Sequence, residues 1–347
     1  MYDWFAVHVW QIYYNRRKGC MNTKEKLTPQ QQAERIEGLY KNLERQAHKI
    51  FKHDRSGSID TRKPYFAAEK RFCRFLAENY SLQNLKNVEP RHFYAFAEDM
   101  KAKGLSTSYI YATLSAIRYY NDKLGGKNEM PKDNKELHLE KRHPGALNRA
   151  WMDSEIEKAC RVAYEMKGGG DHLDIIAAFR LGQRFGLRVN ESVQVKVGDL
   201  EYALRTRQFH VPRGKCGQRR DIPVTTKEQI TLLEKLLAYA KKKGKESGDY
   251  LLCDNHDNSV FEEKKRIERW VSNHKHKFQD PNRASKVEPG KKPRATKRLG
   301  FHSLRHTYTQ KSMKTMREQG LPEKKVQKEA SESLGHHRTS ITKIYEE

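Results

Sequence analysis

Three stretches of the sequence bring together residue types that bind anions, exchange protons or form covalent bonds. They are FGLRVNESVQVKVGDL around Arg188, FHSLRHTYTQ with His302 and Arg305, and ESLGHHRTSITKIY with His336 and Tyr345. A guanidinium binds phosphate oxygens bidentately and stays charged at any working pH. A histidine exchanges protons near neutrality, and a tyrosine becomes a nucleophile when neighbouring groups take its proton. Brought together, such residues could break a phosphodiester bond without a metal ion.

Each stretch also has an ordinary structural explanation when it is taken alone. Arg188 could simply pair with Glu191, a histidine three residues before an arginine is common, and a tyrosine near a C-terminus usually contributes packing. The order of the motifs along the chain and one spacing favour a functional explanation, because Tyr345 follows His336 by nine residues.

In this order the motifs resemble those of the tyrosine recombinase, or phage-type integrase, family. That family is marked by an arginine on a helix, a lysine in a hairpin, an HxxR motif, a histidine after Leu-Gly and a tyrosine nine residues beyond that histidine. The matching segments are GLRVNE with Arg188, RGKCGQRRDIP with Lys215, HSLRH with His302 and Arg305, LGHH with His336, and finally Tyr345. The resemblance is strong over residues 151–345 and looser over residues 60–125.

The resemblance implies a role for each position. Arg188 and Arg305 would hold the non-bridging oxygens of the scissile phosphate, as an oxyanion hole does. Tyr345 would attack phosphorus and form a 3′-phosphotyrosine link. His302, through a near-neutral pKa, would accept the proton of that tyrosine.

Three other residues complete the implied site. Lys215 would protonate the departing 5′ oxygen, and His336 would hydrogen-bond the scissile phosphate. Glu191, three residues after Arg188, would orient that arginine or its helix. The covalent link conserves the energy of the broken bond, so the resemblance implies no cofactor and no metal ion.

Other functions remain open on the residues alone. A type IB topoisomerase-like strand nicking-closing enzyme would share the chemistry, although the LGHH-to-tyrosine spacing disfavours it. A catalytically idle DNA-binding accessory protein would not need the complete set of residues. Metal catalysis could use His274 with His276 or His336 with His337, but no H-E-x-x-H motif or Cys/His framework supports such a site.

The charge of the chain points to a polyanionic partner. The 347 residues include 69 Lys and Arg against 44 Asp and Glu, a formal net charge of +25. Such a surplus favours nucleic acid as the ligand. The five cysteines are scattered without a CxxC pair, which fits a reducing cytoplasm rather than a disulfide framework, and no apolar run is long enough to span a membrane. The sequence therefore predicts a cytoplasmic, nucleoid-associated protein.

Hydrophobic periodicity predicts a mostly α (α+β) fold. The resemblance implies an N-terminal helical, SAM-like core-binding domain before a mainly helical catalytic domain with a small antiparallel sheet, the two forming a C-shaped clamp on DNA. The predicted divisions are an extension over 1–55, a core-binding domain over 56–125, a linker over 126–150 and a catalytic domain over 151–347. Residues 1–20 resemble neither a signal peptide nor the helix that follows, and Met21 is a candidate start.

Several local signals carry this prediction. Thr28 and Ser106 are placed to cap helices, and Gly125 to end one. QFHVPRGKCGQRRDIPVT alternates as a β-hairpin, with Gly214 and Gly217 at its turn. Residues 279–299 form a basic loop that could be a disordered insert or an arm that orders on DNA.

The resemblance also predicts partners. These are double-stranded DNA, three further copies of the chain in a homotetramer on synapsed sites, and DNA-bending accessory factors, in the service of a mobile genetic element. Only Glu346 and Glu347 follow Tyr345. We therefore expect the tyrosine to lie on a terminal segment that is loose until DNA binds.

Overall fold

A computed structural model describes residues 27–140, 147–166, 172–211, 219–256, 259–284, 299–335 and 344–345. The chain separates into two compact units that divide between residues 142 and 143. No helix in these ranges is long and apolar enough to cross a bilayer.

The first unit is helical. Its elements are α1 Pro29–His53, α2 Ile59–Tyr80, α3 Pro90–Ala102 and α4 Thr107–Leu124, with 3₁₀ turns at Leu85–Asn87 and Lys135–Leu137. The predicted caps are confirmed. Thr28 and Gln31 form a capping box at the start of α1, the Ser106 side chain accepts from the N–H of Tyr109, and Gly125 ends α4 in the left-handed conformation at φ 60°.

Helix α1 belongs to the same core as the helices that follow it. Leu43 and Ala47 of α1 are fully buried, and they pack in one apolar cluster with Phe72 and Leu76 of α2 and Leu114 of α4. The sequence-based domain boundaries in this region stay predictions.

The second unit holds the sheet. Its elements are α5 Asp153–Glu165, α6 Leu173–Phe185, α7 Val189–Ser192, α8 Val197–Thr206, β1 Gln208–Val211, β2 Arg220–Pro223, α9 Lys227–Lys242, α10 Ser259–Phe278, α11 His302–Glu318 and α12 Glu323–Ser333, with a 3₁₀ turn at Pro281–Ala284. Strands β1 and β2 pair antiparallel, with Gln208 opposite Pro223. The predicted fold class, mostly helical with a small antiparallel sheet, is confirmed.

Helix α8 differs from the sequence-based predictions, which treat its first residues only as part of the motif around Arg188. The hairpin turn, including Gly214 and Gly217, lies outside the described residues, as does most of the basic loop.

The packing of α6 against α11 sets the position of the site. A Cβ atom on Gly182 of α6 would lie 3.2 Å from the Leu304 side chain of α11, so the two helices approach closely. Gly186 ends α6 with φ +61°, and a Cβ there would lie 2.5 Å from the ring of Tyr308. This glycine is required both by its backbone conformation and by the space available. Consequently, the residues after α6 turn sharply beside the first turns of α11.

A buried acid in the first unit provides a test of this core. Glu69 is 2% exposed, its Oε2 has no hydrogen-bond partner among the described residues, and burial raises its pKa to about 8. Because the folded protein keeps this proton while the unfolded chain loses it near the ordinary pKa of 4.5, stability should fall as pH rises between those values.

We predict that Glu69→Gln removes this loss. In urea unfolding followed by circular dichroism, the variant should gain stability relative to the parent between pH 5 and pH 8. Glu78→Gln, at an exposed position on the same helix, should show no such gain. An identical pH dependence for the parent and Glu69→Gln would contradict the assignment.

Candidate active site

The carboxylate of Glu191 lies at the centre of the candidate site. Arg188 precedes the short helix α7, and its backbone N–H donates to Glu191 Oε2 at 2.9 Å. Its guanidinium donates to Glu191 Oε1 at 2.7 Å, and its side chain is 20% exposed. The pair therefore fixes the orientation of Arg188 while part of the guanidinium stays accessible.

A second arginine, Arg220 of β2, binds the same carboxylate. Its two terminal nitrogens donate to Glu191 Oε1 and Oε2 at 2.9 and 2.7 Å, and its Nε donates to the carbonyl of Ser333 at 3.0 Å. Sequence reasoning recognised only a basic strand here and missed this residue. The available signal was alternation, because Arg220 and Ile222 share the buried face of β2.

Arg305 of α11 is fully buried on the third side of Glu191. Its guanidinium donates to the carbonyls of Gly186, at 2.7 Å, and Leu334, and it lies 3.8 Å from Glu191 Oε2. Its Nε has no hydrogen-bond partner among the described residues. Burial first, and then the charges of Arg188 and Arg220, lower the pKa of Arg305 to about 10, so it remains charged at neutral pH.

This arrangement leaves an excess of positive charge. Burial acts to raise the pKa of Glu191, but the hydrogen bonds and charges of Arg220 and Arg188 outweigh it and hold that pKa at about 2. Glu191 is therefore ionised at neutral pH, and one negative charge faces three guanidiniums. A buried cation cluster of this kind favours an anionic ligand.

His302, the first residue of α11, opens towards solvent beside these arginines. It lines a cleft of about 570 Å³ together with Arg188, Lys264 and Lys275. Partial burial, then the charges of Arg305 and Arg188, lower its pKa to about 4. The expectation of a near-neutral pKa was wrong, because burial and the surrounding guanidiniums both disfavour the charged imidazole. At pH 7 the imidazole is neutral and one ring nitrogen can accept a proton, but it is a weaker base than predicted.

The side chain of Tyr345 is buried. Its side chain is 4% exposed, and its ring centroid lies 4.4 Å from that of His306. It lines a cavity of about 440 Å³ with Trp151, Lys311 and Lys314, whereas Arg188 and His302 line the other cleft. The expected looseness of the terminal segment stays a prediction, because residues 336–343 and 346–347 lie outside the described residues.

His306 lies between His302 and Tyr345 and contacts both rings. The sequence motifs did not single out this residue. It is buried, and its ring also meets the ring of His302 at a centroid distance of 5.8 Å. Burial, and then His302, Arg149 and Arg305, lower its pKa to about 3, so it too is neutral. The signal was the helical spacing, because residues four apart share a helix face.

The remaining predicted positions are not all described. Lys215 and His336 lie outside the described residues, so their roles stay predictions. His274 lies within 2.8 Å of the Trp270 carbonyl through Nδ1. Among the described residues, no cluster of three or more His, Cys, Asp or Glu side chains could hold a metal ion.

We predict that Glu191→Gln destabilises the second unit, because it removes the buried negative charge that faces the guanidiniums of Arg188, Arg220 and Arg305. Breaking a buried ion pair costs on the order of 3 kcal/mol, measurable by urea unfolding. Asp221→Asn, which removes the exposed pairing with His210 at 2.6 Å, should cost less than about 1 kcal/mol. Equal losses for the two variants would contradict the role of Glu191.

Comparisons with known proteins support the sequence resemblance. The model of the phage integrase family matches residues 156–347. No curated protein matches the chain significantly.

Solved structures share the fold. A lambda integrase dimer bound to a COC′ core site aligns with a TM-score of 0.58 at 14% identity, over 88% of this chain and 94% of the other. The Tn1549 transposon integrase in complex with transposon right end DNA aligns with a TM-score of 0.54 at 15% identity, over 88% of this chain and 94% of the other. XerH recombinase bound to its difH substrate aligns with a TM-score of 0.53 at 17% identity, over 93% of this chain and 88% of the other. Since the family match spans more than half of the sequence, the chain belongs to the phage integrase family of tyrosine recombinases.

Proposed function

We propose that the protein is a site-specific DNA recombinase that cleaves and rejoins strands through a 3′-phosphotyrosine intermediate. The observation that carries the proposal is the cluster of Arg188, Arg220 and Arg305 around Glu191, open on one side to a cleft. Its surplus positive charge suits a phosphodiester. Family membership supplies the reaction class, and the chemistry of the described side chains supports it.

Arg188 and Arg305 would bind the non-bridging oxygens. Arg188 is partly exposed and already oriented by Glu191, so little ordering is needed when the phosphate arrives. The unpartnered Nε of Arg305 is a donor that a ligand oxygen could satisfy. Arg220, which makes three hydrogen bonds within the protein, would hold Glu191 rather than the substrate.

The chemical step would move one proton from the attacking oxygen and one proton to the leaving oxygen. The Tyr345 oxygen forms a bond to phosphorus as the bond to the 5′ oxygen breaks, His302 accepts the tyrosine proton, and Lys215 donates a proton to the leaving oxygen. His336 would hydrogen-bond the phosphate. Reversal of the same steps rejoins the strands, so no external energy source is required.

Two features of the protein without DNA bear on this step. The charges of Arg305 and Arg188 lower the pKa of His302, and a bound phosphate anion would offset those charges and raise it again. Tyr345 packs on His306 and lines a different cavity from Arg188. We infer that its ring leaves this contact before it attacks.

The proposed substrate is double-stranded DNA. The lambda, Tn1549 and XerH proteins that share this fold were solved bound to DNA sites, and the net charge of +25 is suited to the same ligand. A homotetramer on two synapsed sites, DNA-bending accessory factors and a role in moving a genetic element complete the proposal.

We predict that wild-type protein forms a covalent adduct with a nicked suicide substrate in EDTA. Tyr345→Phe should abolish the adduct and keep DNA binding, because only the nucleophilic oxygen is removed. Tyr202→Phe, at an exposed tyrosine of α8, is the matched control and should react normally.

Two results of this assay, and one of a separate plasmid-relaxation assay, would contradict the proposal. Binding without any wild-type adduct would indicate an accessory protein. Relaxation of supercoiled plasmids without site preference would indicate a topoisomerase-like enzyme. An adduct formed by Tyr345→Phe would assign a different nucleophile.

We also predict that Arg188→Lys lowers the rate of adduct formation by about 100-fold or more, since an ammonium cannot reproduce the planar fork. Arg184→Lys, on the preceding helix, should stay close to wild type. Single-turnover cleavage at saturating DNA measures the effect, and a near-normal rate for Arg188→Lys would remove that residue from the site.

A further inference from the structure

We propose that Arg149 is a further phosphate-binding residue of this site and contacts a DNA backbone phosphate beside His302 and His306. The proposal rests on the proposed function for the identity of the ligand. Arg149 lies outside every motif that marks the family, and the backbone on both sides of it is held by contacts that the rest of the site does not explain.

The chain on both sides of Arg149 is buried and anchored. Asn148 and Ala150 are each less than a tenth exposed. The Asn148 side-chain oxygen accepts from the N–H of Ala150 at 2.9 Å and from the amide of Gln310 at 3.2 Å. The Ala150 carbonyl accepts from the guanidinium of Arg283. Arg149 therefore extends from a fixed backbone rather than from a mobile strand.

The next residue ties the same segment to α11. The Trp151 carbonyl accepts from the Thr307 hydroxyl at 3.0 Å, and the indole N–H donates to the Gly300 carbonyl at 3.1 Å. Thr307 lies one residue beyond His306 and five beyond His302. These contacts hold the segment against the helix that carries both histidines.

A buried ion pair reinforces this anchor. Arg283 is 1% exposed and lies 3.6 Å from the buried carboxylate of Glu155. Glu155 also accepts from the N–H groups of Met152 at 2.8 Å and Asp280 at 3.1 Å. Fully buried ion pairs are costly unless further hydrogen bonds satisfy them, and here those bonds converge on the segment that holds Arg149.

The Arg149 side chain itself has no such partner. It is half-buried, and among the described residues it makes no hydrogen bond or ion pair with a carboxylate. The nearby acids are engaged elsewhere, since Glu191 binds Arg188 and Arg220, and Asp153 binds Lys311 at 2.5 Å. A partly desolvated cation without a counterion is unfavourable, and a ligand phosphate would supply the missing charge.

The contacts of Trp151 with Thr307 and Gly300, and of Asn148 with Gln310, place this segment beside the N-terminal half of α11, which carries both histidines. Burial is the largest cause that lowers the pKa of His302 and of His306, and the charge of Arg149 lowers both further. The groups acting on His302 are Arg305, Arg188, Arg149 and Glu191, and those acting on His306 are His302, Arg149 and Arg305. Arg149 therefore adds to the positive potential beside His302, where a phosphate of the DNA backbone would bind.

The test compares Arg149→Ala and Arg149→Lys with Arg161→Ala, which removes the same charge from an exposed position on α5. Binding of a short random-sequence duplex to the full chain is followed by fluorescence anisotropy over a salt series. Loss of one phosphate contact should reduce the slope of log affinity against log salt concentration by about 0.9. Arg149→Lys, which keeps the charge, should keep the parent slope and bind more weakly.

A second measurement tests whether the charge of Arg149 acts on the two histidines. Nuclear magnetic resonance titration of the histidines in the free protein should show higher pKa values for His302 and His306 in Arg149→Ala, and parent values in Arg149→Lys and Arg161→Ala. Thermal melts verify that the variants fold, and Arg149→Gln replaces Arg149→Ala if the latter does not.

The outcomes separate this proposal from the recombinase proposal. An unchanged salt slope in Arg149→Ala, with raised histidine pKa values, would show that Arg149 is an internal charge and would overturn the phosphate contact. Failure of the parent to bind DNA would also overturn it. A parent that binds DNA but forms no Tyr345 adduct would contradict recombination alone, and the slope would still decide whether Arg149 binds phosphate.

Discussion

One buried carboxylate determines the geometry of this site. Glu191 accepts hydrogen bonds from Arg188 and Arg220 and faces Arg305, three arginines that come from a helix cap, a strand and another helix. Without it, three guanidiniums in a region of low dielectric constant would repel one another. With it, the three stay together, and Arg188 and Arg305 are already oriented for the phosphate that we propose as their ligand.

The fold brings these residues together through one close contact between helices. Gly182 lets α6 approach α11, and Gly186 reverses the chain in a conformation that favours glycine while its carbonyl accepts from Arg305. A side chain at Gly186 would overlap the Tyr308 ring, and one at Gly182 would crowd Leu304 by a few tenths of an ångström. Arg188, two residues after Gly186, would then shift relative to Arg305, so the helix packing and the arginine cluster depend on the same contact.

Local sequence signals predicted local structure well and long-range pairing poorly. Thr28, Ser106 and the alternating strands act within a few residues, and each was predicted correctly. The resemblance singled out Arg188, His302 and Arg305, and the structure brings them together around Glu191 and its cleft. Lys215 and His336 stay predictions.

The features of the site that the sequence did not predict share a physical cause. Arg220 pairs with a residue 29 positions away, and the burial of Tyr345 depends on its contact with His306 of α11. The lowered pKa of His302 arises from burial together with the charges of Arg305 and Arg188. Alternation marks Arg220 as a buried position, but none of these pairings or shifts has a local pattern, because each is created only when distant segments pack.

The protein without DNA combines a cation cluster, two neutral histidines and a buried tyrosine. We propose that the cluster holds a scissile phosphate for attack by Tyr345. The most direct test digests the covalent complex formed on nicked DNA and identifies the modified peptide by mass spectrometry. We predict a single peptide in which the Tyr345 oxygen is joined to a 3′ phosphate. A link through another residue, or to a 5′ phosphate, would contradict it.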